Sequence, residues 1–341
     1  MKKYFYVLTL TFAVALMTTG ATNTFGSQTA RRGRETTSGA QATTAANALA
    51  SLPASDAVLT VDVRRLLKDA LPRAYNNNPT ELARVNSEID KFKASTGLDA
   101  RLLERIAVGV SYKQTATGRT LVETVAVARG AFGSTAFGAP DSRVEEEKYA
   151  GKTIRIFSVD RQVKLLGLLN LRVTDLAVAA LDANTVAFGK LERVRAAIDA
   201  SAGRGARVSP GITALATRDA NAIVGAGGNI PASLTQNLDI GNLSRSIASV
   251  RQFYSTLGMT ATGFNMLTAL RTEDAGAAKA LSSTLAGLKQ LAPFALGQMS
   301  AAKGRPLMSL VENTKVGAEG VDVLITLELA QVDVAALIDA F

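Results

Sequence analysis

Residues 106–128 read Ile-Ala-Val-Gly-Val-Ser-Tyr-Lys-Gln-Thr-Ala-Thr-Gly-Arg-Thr-Leu-Val-Glu-Thr-Val-Ala-Val-Ala. Ile106, Val108, Val110 and Tyr112 fall on every second residue, the period of a strand with one buried face. Gly118 sits in the polar break, and Leu121–Ala128 resumes an apolar, β-branched run. Two such runs around a short glycine-containing break predict a β-hairpin. Successive hairpins make antiparallel sheet, so this stretch sets the class of the whole chain.

The same style extends to both sides. Ala57, Leu59, Val61 and Val63 alternate as a strand, and a short helix over Arg64–Leu71 is expected to stop at Pro72. Asn78-Pro79-Thr80-Glu81 is a helix start, with Asn78 as cap, followed by Leu82, Val85, Ile89 and Phe92 at helical spacing and Gly97 as terminator. Strands are expected at Thr153–Phe157, Leu176–Leu181 and Thr185–Phe188, the last two joined by Asp182-Ala183-Asn184. A helix with Leu191, Val194 and Ile198 on one face follows. In the second half Ala222–Gly225 is strand-like, and Leu243, Ile247, Val250, Tyr254 and Leu257 form a helical seam ended by Gly258. Phe264–Leu270 is a strand, and residues 274–291 form a helix with Leu281, Leu285 and Leu288 aligned, ended or kinked at Pro293. Met308–Val316 and Val321–Leu329 form a hairpin around Ala318-Glu319-Gly320, leading into a closing helix.

These signals predict an α+β fold, antiparallel sheets with helices packed on one face. Two halves, 52–200 and 210–341, each end in a hairpin and then a helix, without a linker of domain-separating length between them. Arg193–Ala200 and Asp333–Ala340 look alike in sequence. Internal duplication and the general likeness of Ala-rich helices both explain that, and a shared plan packed as one body is the expectation.

The N-terminus carries a different message. Lys2 and Lys3 precede an apolar run from Tyr4 to Met17, then small residues to Ala21, the layout of a secretory signal over residues 1–21. Residues 22–50 are dominated by Thr, Ala, Ser and Gly and lack the apolar mass that offsets ordering entropy, so a flexible linker is expected. The expected location is periplasmic or extracellular. The chain has 341 residues with no His, no Cys and no Trp. That removes the commonest general base and metal ligand, thiolate chemistry and disulfides. No cofactor and no metal site is expected.

Net charge is +9, which suits an anionic partner. Basic and acidic residues are interspersed along the folded part, however, and the compact basic cluster is Arg31, Arg32 and Arg34 in the linker. Weak contact of this tail with an anionic surface is expected. Aromatic and basic residues are not interleaved as on a nucleic-acid platform, so no nucleic-acid partner is expected.

Four patterns are candidates for chemistry, and each has a plainer explanation. Ser300-Ala-Ala-Lys303 fits the Ser-x-x-Lys of serine acyl enzymes but lacks the companion motifs, and Gly304 and Pro306 suit a loop. Gly225-Ala-Gly-Gly-Asn229 follows a strand and has the look of an anion-cradling loop, or more simply of a tight turn. Glu145-Glu146-Glu147 is the densest acidic run, which a solvated loop explains. Asp62 is expected at the surface or as a helix cap.

Three stretches, LPASDAVLTVDVRRLL (52–67), EEKYAGKTIRIF (146–157) leading to AALDANTVAFGKLERVRAAIDA (179–200), and the terminal GVDVLITLELAQVDVAALIDAF, resemble a group of uncharacterised exported bacterial proteins carrying a domain of unknown function. The resemblance implies an envelope or extracellular location and brings no catalytic residues. The expected function is non-enzymatic binding or scaffolding in the cell envelope, with an envelope component as partner. A hydrolase using only carboxylate, Lys or Ser groups and a basic module for anionic polymer or membrane surface stand as alternatives.

Overall fold

Strand β1 (Ala57–Asp62) lies at the centre of the molecule, antiparallel to β2 (Leu103–Gln114) on one side and to β8 (Val224–Asn229) on the other. The structure is a computed structural model of the chain. It describes residues 48–96, 99–115, 120–132, 144–165, 169–235, 246–296, 301–331 and 333–334.

Outward from β2 run β3 (Thr120–Gly130), β7 (Thr185–Gly189), β6 (Leu169–Asp182), β5 (Lys152–Leu165) and the edge strand β4 (Val144–Tyr149). Outward from β8 run β9 (Val250–Met259), β10 (Gly263–Thr272), β12 (Asp322–Ala330) and the edge strand β11 (Thr314–Glu319). The result is one 12-stranded sheet with every neighbouring pair antiparallel. The hairpin of residues 106–128 is β2–β3, with both arms longer than the alternation alone marks.

Helices cover both faces rather than one, and the register shows how. Val58 belongs to a core shared with α3 (Leu191–Ser201) and α4 (Pro210–Ala216). Its neighbour Ala57 belongs to a core with α5 (Ala275–Leu296). Adjacent strand residues point to opposite faces, so these helices lie on opposite sides of the sheet. Helices α1 (residues 63–74), α2 (Pro79–Thr96) and α6 (Ala301–Asn313) also serve the α5 face. A sheet this wide, rich in Val, Ile and Leu at both parities, needs cover on both faces.

Several local expectations change in the folded chain. Helix α1 does not stop at Pro72. It widens over Leu66–Ala70, where the Leu71 N–H donates to the Leu66 carbonyl five residues back, and continues over Leu71–Ala74. Widening the turn relieves the clash that proline makes with the carbonyl four residues earlier. Likewise α5 continues past Pro293 to Leu296. Residues 250–258 are strand β9 rather than helix, flanked by β8 and β10 and buried from both sides at Phe253 and Tyr254. A strand covered on both faces has no polar alternation to betray its period. Residues 308–313 are the end of helix α6, and the strand begins only at Thr314.

The expected cap at Asn78 is present, its side-chain oxygen accepting from the Glu81 N–H at 3.2 Å. Gly97, Gly118, Leu243 and residues 335–341 of the expected closing helix lie outside the described residues.

Candidate functional site

Along β3, Glu123 shares its parity with Val125 and Val127, which pack under α3. Alternation therefore turns a carboxylate onto a buried face, and Glu123 is only 8% exposed. Its register partner is Ser111 of β2, and Lys113 two residues further along places Nζ 2.7 Å from Glu123 Oε2. From above, Arg193 in the first turn of α3 reaches down to the segment entering β1. Its Nη2 donates to the Ala54 carbonyl at 3.0 Å and to Ser55 Oγ at 3.2 Å, while its buried Nε has no hydrogen-bond partner. Asp56 completes the group by accepting the Tyr112 N–H on Oδ2 at 2.8 Å.

The electrostatics follow from this placement. Burial pulls the Arg193 guanidinium below its ordinary value, and the Glu123 and Asp56 carboxylates oppose that. The Tyr112 hydroxyl is pushed up to about 12, first by burial and then by Asp56. Ser55 Oγ donates to the Pro53 carbonyl at 2.8 Å, and Ser111 Oγ to the Ala54 carbonyl at 3.3 Å. Both hydroxyls thus spend their protons on backbone rather than on a base. Gly109 makes the approach of this segment feasible, since a Cβ there would sit 2.4 Å from Ser55 Oγ. What the arrangement does chemically is clamp the 53–56 segment and α3 to the ends of β1, β2 and β3.

A second group pins the edge of the sheet. Glu147 on β4 faces α3 and takes the Arg195 guanidinium through both oxygens. Two residues on, the Tyr149 hydroxyl donates to Asp199 Oδ2 at 2.7 Å, and Arg204 reaches Asp199 Oδ1 at 3.1 Å. The Arg195 hydrogen bond holds the Glu147 carboxyl below its usual range, and the Tyr149 hydrogen bond does the same for Asp199.

The residues singled out in the sequence fare differently. Arg31, Arg32 and Arg34 lie outside the described residues, as does Ser300. Lys303, Gly304 and Pro306 belong to helix α6 rather than to a loop. Glu145, Glu146 and Glu147 are in strand β4, not a loop, and Glu146 pairs with Arg155 across β5 at 3.0 Å. Gly225–Asn229 is neither an anion loop nor a turn but strand β8 itself. Its glycines admit α4: a Cβ at Gly225 would lie 2.1 Å from the Ala216 carbonyl oxygen, and one at Gly227 would lie 2.5 Å from Leu215 Cβ. Asp62 caps α1 by accepting the Arg65 N–H at 3.0 Å, yet it is buried rather than at the surface and pairs with Arg105 at 2.9 Å. The Arg193 cluster draws on residues 55 to 193 and has no motif. One signal was available, a glutamate at an inward parity of β3.

These features define an α+β protein built on one antiparallel sheet. No protein-family model matches the chain, and no curated protein matches it. Among solved structures it is similar to crystal forms III and I of TP0453, each at 12% identity with TM-scores of 0.45 and 0.44. The matches cover 86% of this chain and 98% and 96% of those chains.

Proposed function

We propose that the protein is an exported, non-enzymatic binding or scaffolding component of the cell envelope, periplasmic or extracellular, working through its surfaces. One observation carries the reading: at the edge of the sheet the carboxyls with shifted titration are tied into structural bonds, Glu147 to Arg195 and Asp199 to Tyr149. Proton transfer near neutrality wants a group titrating near 7. Here the Glu147 and Asp199 carboxyls are held low by their hydrogen-bond partners, and the Tyr112 and Tyr149 hydroxyls are raised, by burial and by Asp199 respectively. These four shifts lead away from neutrality, and the two cations whose pKa burial lowers, Arg193 and Lys289, each donate to a backbone carbonyl. The Lys2-Lys3 start, the apolar run that follows and the resemblance to exported proteins support the location. Arg31, Arg32 and Arg34 supply contact with an anionic surface, each worth about 1 kcal/mol near anionic lipid.

Residues 48–50, expected in the flexible linker, are helical instead, and Ala48 and Leu49 are buried in the core, so deleting residues 28–46 tests this. The truncated protein is expected to fold as before and to associate less with envelope fractions at low salt, the difference fading as salt rises. Equal association of the two proteins would reduce the tail to a spacer. Turnover of any substrate that Glu123→Gln abolishes in a folded variant would overturn the non-enzymatic reading.

A further inference from the structure

Between Asp274 and Glu312 the chain carries Lys279, Lys289, Lys303 and Arg305 and not one Asp or Glu. At the chain's own frequency of acids, 29 in 341 residues, a stretch of this length would hold about three. The stretch supplies α5 and all of α6 except its last two residues, Glu312 and Asn313.

The first turns of α5 follow the rule for a helix on a sheet. Ala278, Leu281 and Leu285 are buried in the core, and Lys279 is exposed. After Leu285 the rule inverts. Lys289 turns inward, only 4% exposed, and donates Nζ to the Thr314 carbonyl at 2.6 Å. Leu288, Leu291 and Phe294 turn outward, the last two 65% and 78% exposed. At about 100° per residue these three side chains fall within roughly 120° of the helix circumference. A cation turned in and a Leu–Leu–Phe stripe turned out is the reverse of a water-facing helix. A soluble surface tolerates single exposed apolar residues, but a stripe marks a contact.

We infer that the C-terminal end of α5 is a membrane-surface contact that seats Leu291 and Phe294 in the headgroup and acyl boundary of an anionic bilayer. The occupant follows from the charge. The stretch between Asp274 and Glu312 keeps an excess of cations, with Lys279 exposed although Lys289 is spent on the Thr314 carbonyl. That excess is complementary to anionic headgroups, while a short apolar stripe matches the shallow depth that interfacial helices reach. Crossing is not involved, because no helix among the described residues is long and apolar enough to span a membrane. The inference rests on the envelope location proposed above and adds to it a second contact, independent of the arginine tail.

The chain has no tryptophan, so Phe294→Trp creates a single reporter at the site. Its emission is expected to shift to the blue on adding phosphatidylcholine vesicles that contain phosphatidylglycerol, and far less with phosphatidylcholine alone. Leu291→Gln combined with Phe294→Gln, at positions too exposed to unsettle the fold, is expected to cut co-sedimentation with those vesicles about tenfold. An unshifted emission, or co-sedimentation equal to that of the parent chain, overturns the inference. So does loss of a concentration-dependent dimer in the double variant without any effect of vesicles, which would assign the stripe to a second copy of the chain. The deletion of residues 28–46, which spares the buried Ala48 and Leu49, separates the two proposals. If it abolishes vesicle binding while the double variant binds fully, the tail acts and the α5 contact falls; the reverse result sinks the tail and keeps α5.

Discussion

A row of register partners crosses the whole sheet through Thr60, and its two sides differ in kind. Towards β5 it runs Ala107, Val127, Ala187, Ala179, Ile154, all buried beneath α3 and its neighbours. Towards β11 it runs Gly225, Thr256, Leu267, Thr326, Lys315, ending in solvent. Yet the strands on the two sides follow one order. From the centre outward, β1-β2-β3-β7-β6 corresponds to β8-β9-β10-β12-β11. Between the third and fourth of these strands the first half inserts the hairpin β4–β5, and the second half inserts helices α5 and α6. The closing helix α3 lands on the face of that row, whereas Val334, after β12, packs with Tyr75 and Phe264 on the opposite face. Hairpin connectivity sets the strand order, and the apolar content of each face decides where the helices go.

The seam between the halves is the place to break this arrangement. Gly225→Val would drive a side chain into the Ala216 carbonyl of α4, backbone that can move only with its helix. The expected loss is about 3 kcal/mol or more, read from the midpoint of urea denaturation. Gly317→Ala at the far edge, where a Cβ meets open space, is expected to change stability by less than about 0.5 kcal/mol. Equal effects at the two sites would mean that α4 does not sit on β8 as described.

Each half also draws a cation inward, Arg193 half-buried in the first and Lys289 buried in the second, and the two should respond differently. Arg193→Met removes the hydrogen bonds to the Ala54 carbonyl and Ser55 Oγ and the guanidinium's attraction for Glu123 and Asp56. Those carboxylates keep Lys113 and the Tyr112 N–H respectively, and the expected loss is about 1–2 kcal/mol. Adding Glu123→Gln should make the two changes non-additive, as a double-mutant cycle would show. Lys289→Met removes an ammonium held by one carbonyl, and the expected change at neutral pH is below about 1 kcal/mol. Burial lowers the Lys289 pKa from its ordinary 10.5, so the folded state binds fewer protons than the unfolded state in the window below 10.5. The native protein therefore gains on Lys289→Met as pH rises towards 10.5, which parallel denaturation at neutral and alkaline pH measures.

The smallest effect belongs to the edge of the first half. The Arg195 hydrogen bond lowers the Glu147 pKa below its unfolded 4.5, so this pair stabilises the fold above 4.5 and loses its effect as pH falls through the folded value. Glu147→Gln is expected to lower the melting temperature slightly at neutral pH and not at all in acid. A drop that persists in acid would show that β4 is held by packing rather than by charge.

What could be read without coordinates was whatever rests on neighbours in sequence. The alternation in 106–128, the Asn78 cap, the Val194 and Ile198 face of α3 and the Asp182-Ala183-Asn184 turn are local, and each stands in the fold. Glu123 was legible as an inward carboxylate, but its partners were not, because Arg193 comes from a helix 70 residues away by the numbering of the chain.

The sequence by itself determined the α+β class, the hairpins and the absence of thiol and imidazole chemistry, since periodicity and composition need no third dimension. Only the tertiary structure decided three further things: that β9 is a strand, that Gly225 and Gly227 of β8 admit a helix, and that Lys289 is buried while Phe294 is bare. Each of these depends on what lies above and below a residue. A strand covered on both faces has lost the polar alternation that would announce it, and a glycine in a strand is explained only by the carbonyl that fills its missing side chain.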